Sequence, residues 1–200
     1  MISSILKACK EAPNLPAMAK YSLEDCHAPG LRSLVLSGEP GNLLRVFMAT
    51  RDIAPNSVAL HNHKYDLSIM SLAGQVWHQR AYLSTEPAFV SHAKLTLPIY
   101  TYRSNISGKR KFSLIEKDCE FSLSTNVIPP GACCNLNSGD IHTVWCSEGS
   151  VWAVQEHNFD SNFSNVLGYP FDTGNLYKKM STEIIDESYD WLKSILKKFS

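Results

Sequence analysis

The stretch Leu60-His61-Asn62-His63-Lys64-Tyr65-Asp66-Leu67-Ser68-Ile69-Met70-Ser71-Leu72-Ala73-Gly74 decides how this chain is read. Two histidines stand one residue apart, followed by a short polar corner, an apolar run and a glycine. Side chains alternate between the faces of a β-strand, so an extended backbone turns His61 and His63 to the same side, where both imidazoles can close on one metal ion. A second stretch answers it: Ser138-Gly139-Asp140-Ile141-His142-Thr143-Val144-Trp145. A turn marked by Gly139-Asp140 delivers His142 onto the start of another strand.

The surroundings of both stretches read as strands. Leu34 to Leu36 and Leu43 to Ala49 flank a Gly38-Glu39-Pro40-Gly41 turn. Val58 to His63 is expected to form the strand carrying the paired histidines. Leu67 to Leu72 and Gln75 to Leu83 form a hairpin around Ala73-Gly74. Lys94 to Tyr102, Phe112 to Glu116, Phe121 to Ile128, Cys133 to Leu136, His142 to Cys146 and Val151 to His157 follow. Short strands at near-regular spacing, separated by Gly, Pro, Asn and Ser, predict a mainly β fold, an antiparallel barrel or jelly roll.

These two segments resemble the paired motifs of the cupin superfamily. The first family motif runs His-x-His, a short spacer, Glu and then Gly; the second runs Pro-x-Gly, His and usually Asn. His61, His63 and Gly74 match the first, and Gly139 and His142 match the second. Leu67 stands in place of the motif glutamate, Asn137 in place of the proline and Cys146 in place of the asparagine. The resemblance spans roughly residues 45 to 157, and it implies a single cupin β-barrel.

With the glutamate replaced, His61, His63 and His142 resemble the three-histidine set of the thiol dioxygenases, the cysteine dioxygenase-like branch. That likeness implies ferrous iron as cofactor, dioxygen as co-substrate, and a small thiol or other small anionic molecule as substrate. Members of that branch hold the substrate carboxylate with an arginine, for which Arg45 and Arg51 are the candidates. They also carry a Ser-His-Tyr relay that has no match here beyond the late His157. Open coordination positions separate a catalytic site from a structural zinc site, which four protein ligands normally close. Zinc, manganese or nickel in the same ligands would make an isomerase or lyase. A barrel using the site only for binding or assembly is the non-catalytic alternative.

Asp66 is a candidate fourth ligand if the corner slips by one residue, although strand parity turns its side chain away. Tyr65, Trp145 and His157 are candidates to line a substrate pocket or support the ligands, and Trp77 and Trp152 are further pocket candidates. His27 is read as a capping or surface residue. His78 is read as surface or as a support for the ligands, and His92 as solvated.

Lys plus Arg and Asp plus Glu number 19 each, so the formal net charge is zero and no basic surplus points to nucleic acid. No apolar run approaches the roughly 20 residues that span a bilayer. Lys10-Glu11 interrupts the N-terminal stretch before a signal-peptide core forms. None of the six cysteines forms a Cys-x-x-Cys pair. A cytoplasmic protein with reduced thiols is expected.

Residues 1–30 are expected to supply short helices that cover the barrel of residues 31–160, and residues 161–200 a packed loop and a closing helix, all in one domain. Residues 4 to 11, and 16 to 26, are the N-terminal helices. Ser181 caps the last helix, whose Ile185, Tyr189, Leu192, Leu196 and Phe199 form one apolar stripe. That stripe would pack on the barrel or on a second subunit of a homodimer.

Overall fold

The structure is a computed structural model that describes residues 1–10, 15–83, 93–104, 110–160, 162–168 and 178–199. His92 and much of the turn-rich 158–175 segment lie outside the described residues.

Two short helices, α1 (Ile2–Lys10) and α2 (Leu15–Tyr21), precede strands β1 (Leu23–Glu24), β2 (Leu31–Ser37) and β3 (Leu44–Ala49). A long connection leads to β4 (Tyr65–Ala73), β5 (Val76–Leu83), β6 (Ala93–Ser104) and β7 (Arg110–Ile128). Then come β8 (Cys133–Leu136), β9 (Ile141–Cys146), β10 (Val151–Phe159), β11 (Ser164–Leu167) and β12 (Lys178–Lys179). Helix α3 (Thr182–Leu196) closes the described chain, ending in a 3-10 turn at Lys197–Phe199.

The strands form a seven-stranded sheet in the order β12-β1-β2-β3-β10-β4-β8 and a five-stranded sheet in the order β11-β6-β7-β5-β9. Pairing is antiparallel throughout. The connection after β3 stitches the sheets together, exchanging backbone hydrogen bonds with β9 at Ile53 and Cys146 and at His61 and His142. The result is a nearly closed antiparallel barrel, a jelly roll of the cupin type.

Both faces of the larger sheet are buried, and the alternation along its strands shows why. On β3, Leu44, Val46 and Met48 point outward into a cluster with Ile5 of α1, Met18 of α2 and Ile185, Leu192 and Leu196 of α3. Phe47 and Ala49 point inward and meet Leu67, Ile69, Trp152 and Val154 between the sheets. The apolar stripe of α3 is thus covered by the chain's own β-sheet and N-terminal helices. Ser181 accepts the Ile184 amide at the start of that helix.

The elements differ from the sequence reading in four places. Helix α2 stops at Tyr21, because Leu23–Glu24 pairs with β2 and β12 and the Ser22 hydroxyl accepts the Val35 amide. The two strands expected at 112–128 are one, β7, which passes through Asp118 at φ +56° without ending. The turn-rich segment after Asn158 contains β11, paired with β6. Val58 to His63 is extended but irregular, because its amides bond successively to three different segments: His61 to β9, Asn62 to Asn165 and His63 to Ser138.

Candidate metal centre

That irregular segment positions the histidines. His61 and His142 are directly opposed: each backbone N–H donates to the other's carbonyl at 2.9 Å. Directly opposed residues of an antiparallel pair present their side chains on one face. His63, two residues on, is anchored by its amide on the Ser138 carbonyl at 3.2 Å. The turn before β9 is closed from both sides. The Asp140 amide donates to the Asn137 carbonyl at 3.0 Å, and the Asp140 carboxylate accepts the Asn137 amide at 2.9 Å.

One ring nitrogen from each of His61, His63 and His142 lies within 4.8 Å of the others. The hydrogen bonds select the nitrogens. Nδ1 of His61 sits 2.7 Å from the Ala59 carbonyl, which can only accept, so the proton resides on Nδ1 and Nε2 keeps its lone pair. Nδ1 of His142 lies 2.9 Å from Nε2 of His78. Nε2 of His63 and Nε2 of His142 face each other at 2.7 Å. At that distance one ring nitrogen donates its proton to the other.

Burial pushes the imidazoles toward the neutral form that binds a metal. His63 and His142 are held well below the usual histidine range by desolvation first and by neighbouring imidazoles second. His61 is lowered by desolvation against the opposing Ala59 carbonyl. His78, 3% exposed, is pushed down to about 4, mainly by burial. Three neutral imidazoles without a carboxylate suit a borderline divalent ion such as iron, zinc or nickel.

The cluster opens into a cavity of about 550 Å³ between the sheets. Leu31, Phe47, Leu67, Ile69, Trp152 and Val154 line it from the larger sheet, and Tyr102, Phe112, Val144 and Val166 from the smaller. Phe47 and Trp152 stack at 5.3 Å with planes 13° apart. Arg45 and Glu156 share one wall, paired at 2.9 Å. Glu156 also accepts the Gly41 amide at 2.9 Å and the Leu43 amide at 3.4 Å.

The remaining sequence candidates fall on both sides of the wall. Tyr65 faces the cavity, its ring against Phe159 at 5.6 Å. Leu67, at the motif-glutamate position, is buried in the wall. Asp66 points away from the cavity, as parity requires, accepting the Ser138 amide at 2.9 Å and the Asn158 side-chain amide at 3.1 Å. His157, paired in register with Asp66, is exposed and meets the Ser68 hydroxyl at 3.1 Å. Trp145 stacks on Trp77 across β5 and β9 and does not line the cavity. Arg51 is exposed, its stem against Gly30.

Two histidines outside the motifs join the site. His78 supports His142, a contact that depends on the β5–β9 register, which no local pattern encodes. His27 sits at φ +69° with its ring 5.4 Å from that of His61, in the cavity wall. Neighbouring Asp25, also at positive φ, accepts the Gly30 amide and shapes that turn. Asp and His tolerate the left-handed region better than most residues, which is the only local hint of the turn.

No protein-family model and no curated protein matches the chain. Among solved structures, the chain is similar to hydroxypropylphosphonic acid epoxidase from S. wedmorenis at 14% identity, with 69% of this chain and 56% of that chain covered and a TM-score of 0.39. It is similar to hydroquinone 1,2-dioxygenase from Sphingomonas sp. TTNP3, solved with 4-hydroxybenzoate bound, at 11% identity, 64% and 65% coverage and a TM-score of 0.36. A third similar structure is Streptomyces albus HEPD with 2-hydroxyethylphosphonate and Fe(II) bound, at 11% identity, 66% and 22% coverage and a TM-score of 0.32. The chain spans a little over half the length of the epoxidase. At these values the likeness assigns neither activity nor substrate, and the fold rests on the strand pairing described above.

Proposed function

We propose that this chain is a metal-dependent jelly-roll enzyme, a mononuclear iron dioxygenase whose metal is held by His61, His63 and His142. The observation that carries the reading is the convergence of three neutral imidazoles, two of them nitrogen to nitrogen at 2.7 Å, on a largely apolar cavity. Ferrous iron, when bound, would activate dioxygen toward a spin-paired organic substrate, which itself supplies the electrons. The chain's own residues do the rest. His61, His63 and His142 would present Nε2, the Ala59 carbonyl holding the His61 ring in the ligating tautomer and His78 fixing the orientation of the His142 ring. Phe47, Leu67, Ile69, Trp152 and Val154 exclude water from the space beside them and hold a small-molecule substrate in reach.

A thiol remains in the proposal as the group oxidised, because the three-histidine set without a carboxylate resembles that branch. The carboxylate expected on the same substrate has lost its support. Arg45 is engaged by Glu156, and Arg51 lies off the cavity.

Elemental analysis of purified protein beside His61→Ala, prepared without added metal or chelator, tests the reading. Near-stoichiometric iron, lost in the variant, supports it and directs thiol screening with an oxygen electrode. Zinc, manganese or nickel instead moves the assignment to a non-oxygenase isomerase or lyase. No metal in either sample, and none taken up on reconstitution, leaves a small-molecule-binding barrel and overturns the enzyme reading.

A further inference from the structure

The charges on the cavity wall cancel one another. Among the described residues lining it, Arg45 is the one permanent cation and Glu156 the one carboxylate. Their side chains, 18% and 8% exposed, are paired at 2.9 Å. Two backbone amides complete the shell of Glu156, so releasing it from Arg45 would strand a buried carboxylate. In the metal-free protein, a carboxylate or ammonium brought into this space would leave water and find the two wall charges already paired with each other.

Most of the remaining wall is aliphatic and aromatic, with the Phe47–Trp152 stack offering flat surface, and Asn56, Ser57, Asn62 and Ser164 add neutral polar groups. Polar capacity is limited to groups suited to a neutral oxygen. Arg45 Nε is buried without a hydrogen-bond partner, and the Tyr65 hydroxyl makes no hydrogen bond among the described residues. A volume of about 550 Å³ also exceeds what a free amino acid fills and suits a larger ligand.

We propose that, away from the three histidines, this cavity takes an uncharged, largely apolar ligand body, aromatic or branched-aliphatic, carrying a hydroxyl, carbonyl or neutral thiol and no carboxylate or ammonium group against the wall. This rests on the cavity being the substrate space of the function proposed above, but it does not need the metal.

Its test therefore reads binding on the whole 200-residue chain, freed of metal by dialysis against chelator. Cinnamyl alcohol and cinnamate share a skeleton and differ in charge, and calorimetric titration at neutral pH compares them directly. The alcohol is expected to bind at least about tenfold more tightly, since the anion finds no free partner. In Glu156→Gln, which keeps an acceptor for the Gly41 amide and frees the charge of Arg45, cinnamate is expected to gain at least about tenfold relative to the alcohol. Val154→Phe, which fills the cavity, is expected to abolish binding of the alcohol. Equal or tighter binding of cinnamate by the unmodified protein, binding of neither probe, or undiminished binding to Val154→Phe each overturns the proposal. Because the probes are read without metal, an absence of any metal would sink the enzyme reading and leave this one standing, and the reverse.

Discussion

His142 is held from two sides, by His63 at Nε2 and by His78 at Nδ1, and the second contact decides which nitrogen faces the cluster. Partners of this kind are generally worth ten- to a hundredfold in metal affinity. His78→Ala is therefore expected to weaken metal binding by roughly that factor without abolishing it, measured by competition with a chromophoric chelator. Unchanged affinity would show that the ring is oriented by packing alone. The two motif glycines separate cleanly at the same scale. Gly74 adopts φ +75° between β4 and β5, and a Cβ there would lie 2.6 Å from the Ser150 Cα. Gly74→Ala should cost about 3 kcal/mol from strain and backbone collision, read by urea denaturation. Gly139 has no atom within 4 Å of an added Cβ and no positive φ. Gly139→Ala should stay within about 0.5 kcal/mol of the parent. The sequence marks both glycines alike; only the packing distinguishes them.

Helix α3 realises one of the two uses its apolar period allowed, packing on the chain's own barrel. Its stripe at Ile185, Leu192 and Leu196 lies in the cluster with α1, α2 and the outer face of β2 and β3, so the surface suggested for a second subunit is occupied by the chain itself. Leu192 is fully buried there. Leu192→Ala should lower stability by about 2–5 kcal/mol, and Ser181→Ala, which removes the acceptor for the Ile184 amide, by about 1 kcal/mol. Thermal unfolding checks both. A Leu192→Ala effect below that of Ser181→Ala would mean the helix contributes little to the core. The strands were legible from alternation, but their ends were not. The Phe112–Ile128 region reads as two strands because Lys117-Asp118 is polar, yet β7 runs through it, held by β6 along most of its length.

At the scale of the molecule, burial of thiols between sheets and loops links stability to pH. Cys26 and Cys146, each 2% exposed, are both pushed up to about 12, chiefly by desolvation. The unfolded thiol ionises near 9.0 while the native one keeps its proton, so this contribution is fully present below 9.0 and lost as pH rises toward 12. Each thiol should remove about 1.4 kcal/mol of stability per pH unit in that window. Denaturant titrations above pH 9.0 should give a shallower decline for Cys26→Ala than for the parent, and parallel slopes would refute the linkage.

What the sequence determined by itself is what repeats locally: alternation along strands, the turn at Gly139-Asp140, the period of the last helix, and two histidines set to share a face. Each follows from backbone geometry over a few residues. The parity that turns Asp66 outward belongs to the same class. What only the tertiary structure decided depends on partners distant in sequence. The bond from His78 to His142 and the placement of His27 against His61 arise from register and from a strained turn. The pairing of Arg45 with Glu156 joins two strands that neighbour one another only after folding. That last contact converts an apparent anion-binding arginine into half of a neutral pair, because a buried charge is defined by its nearest counter-charge and not by its residue type.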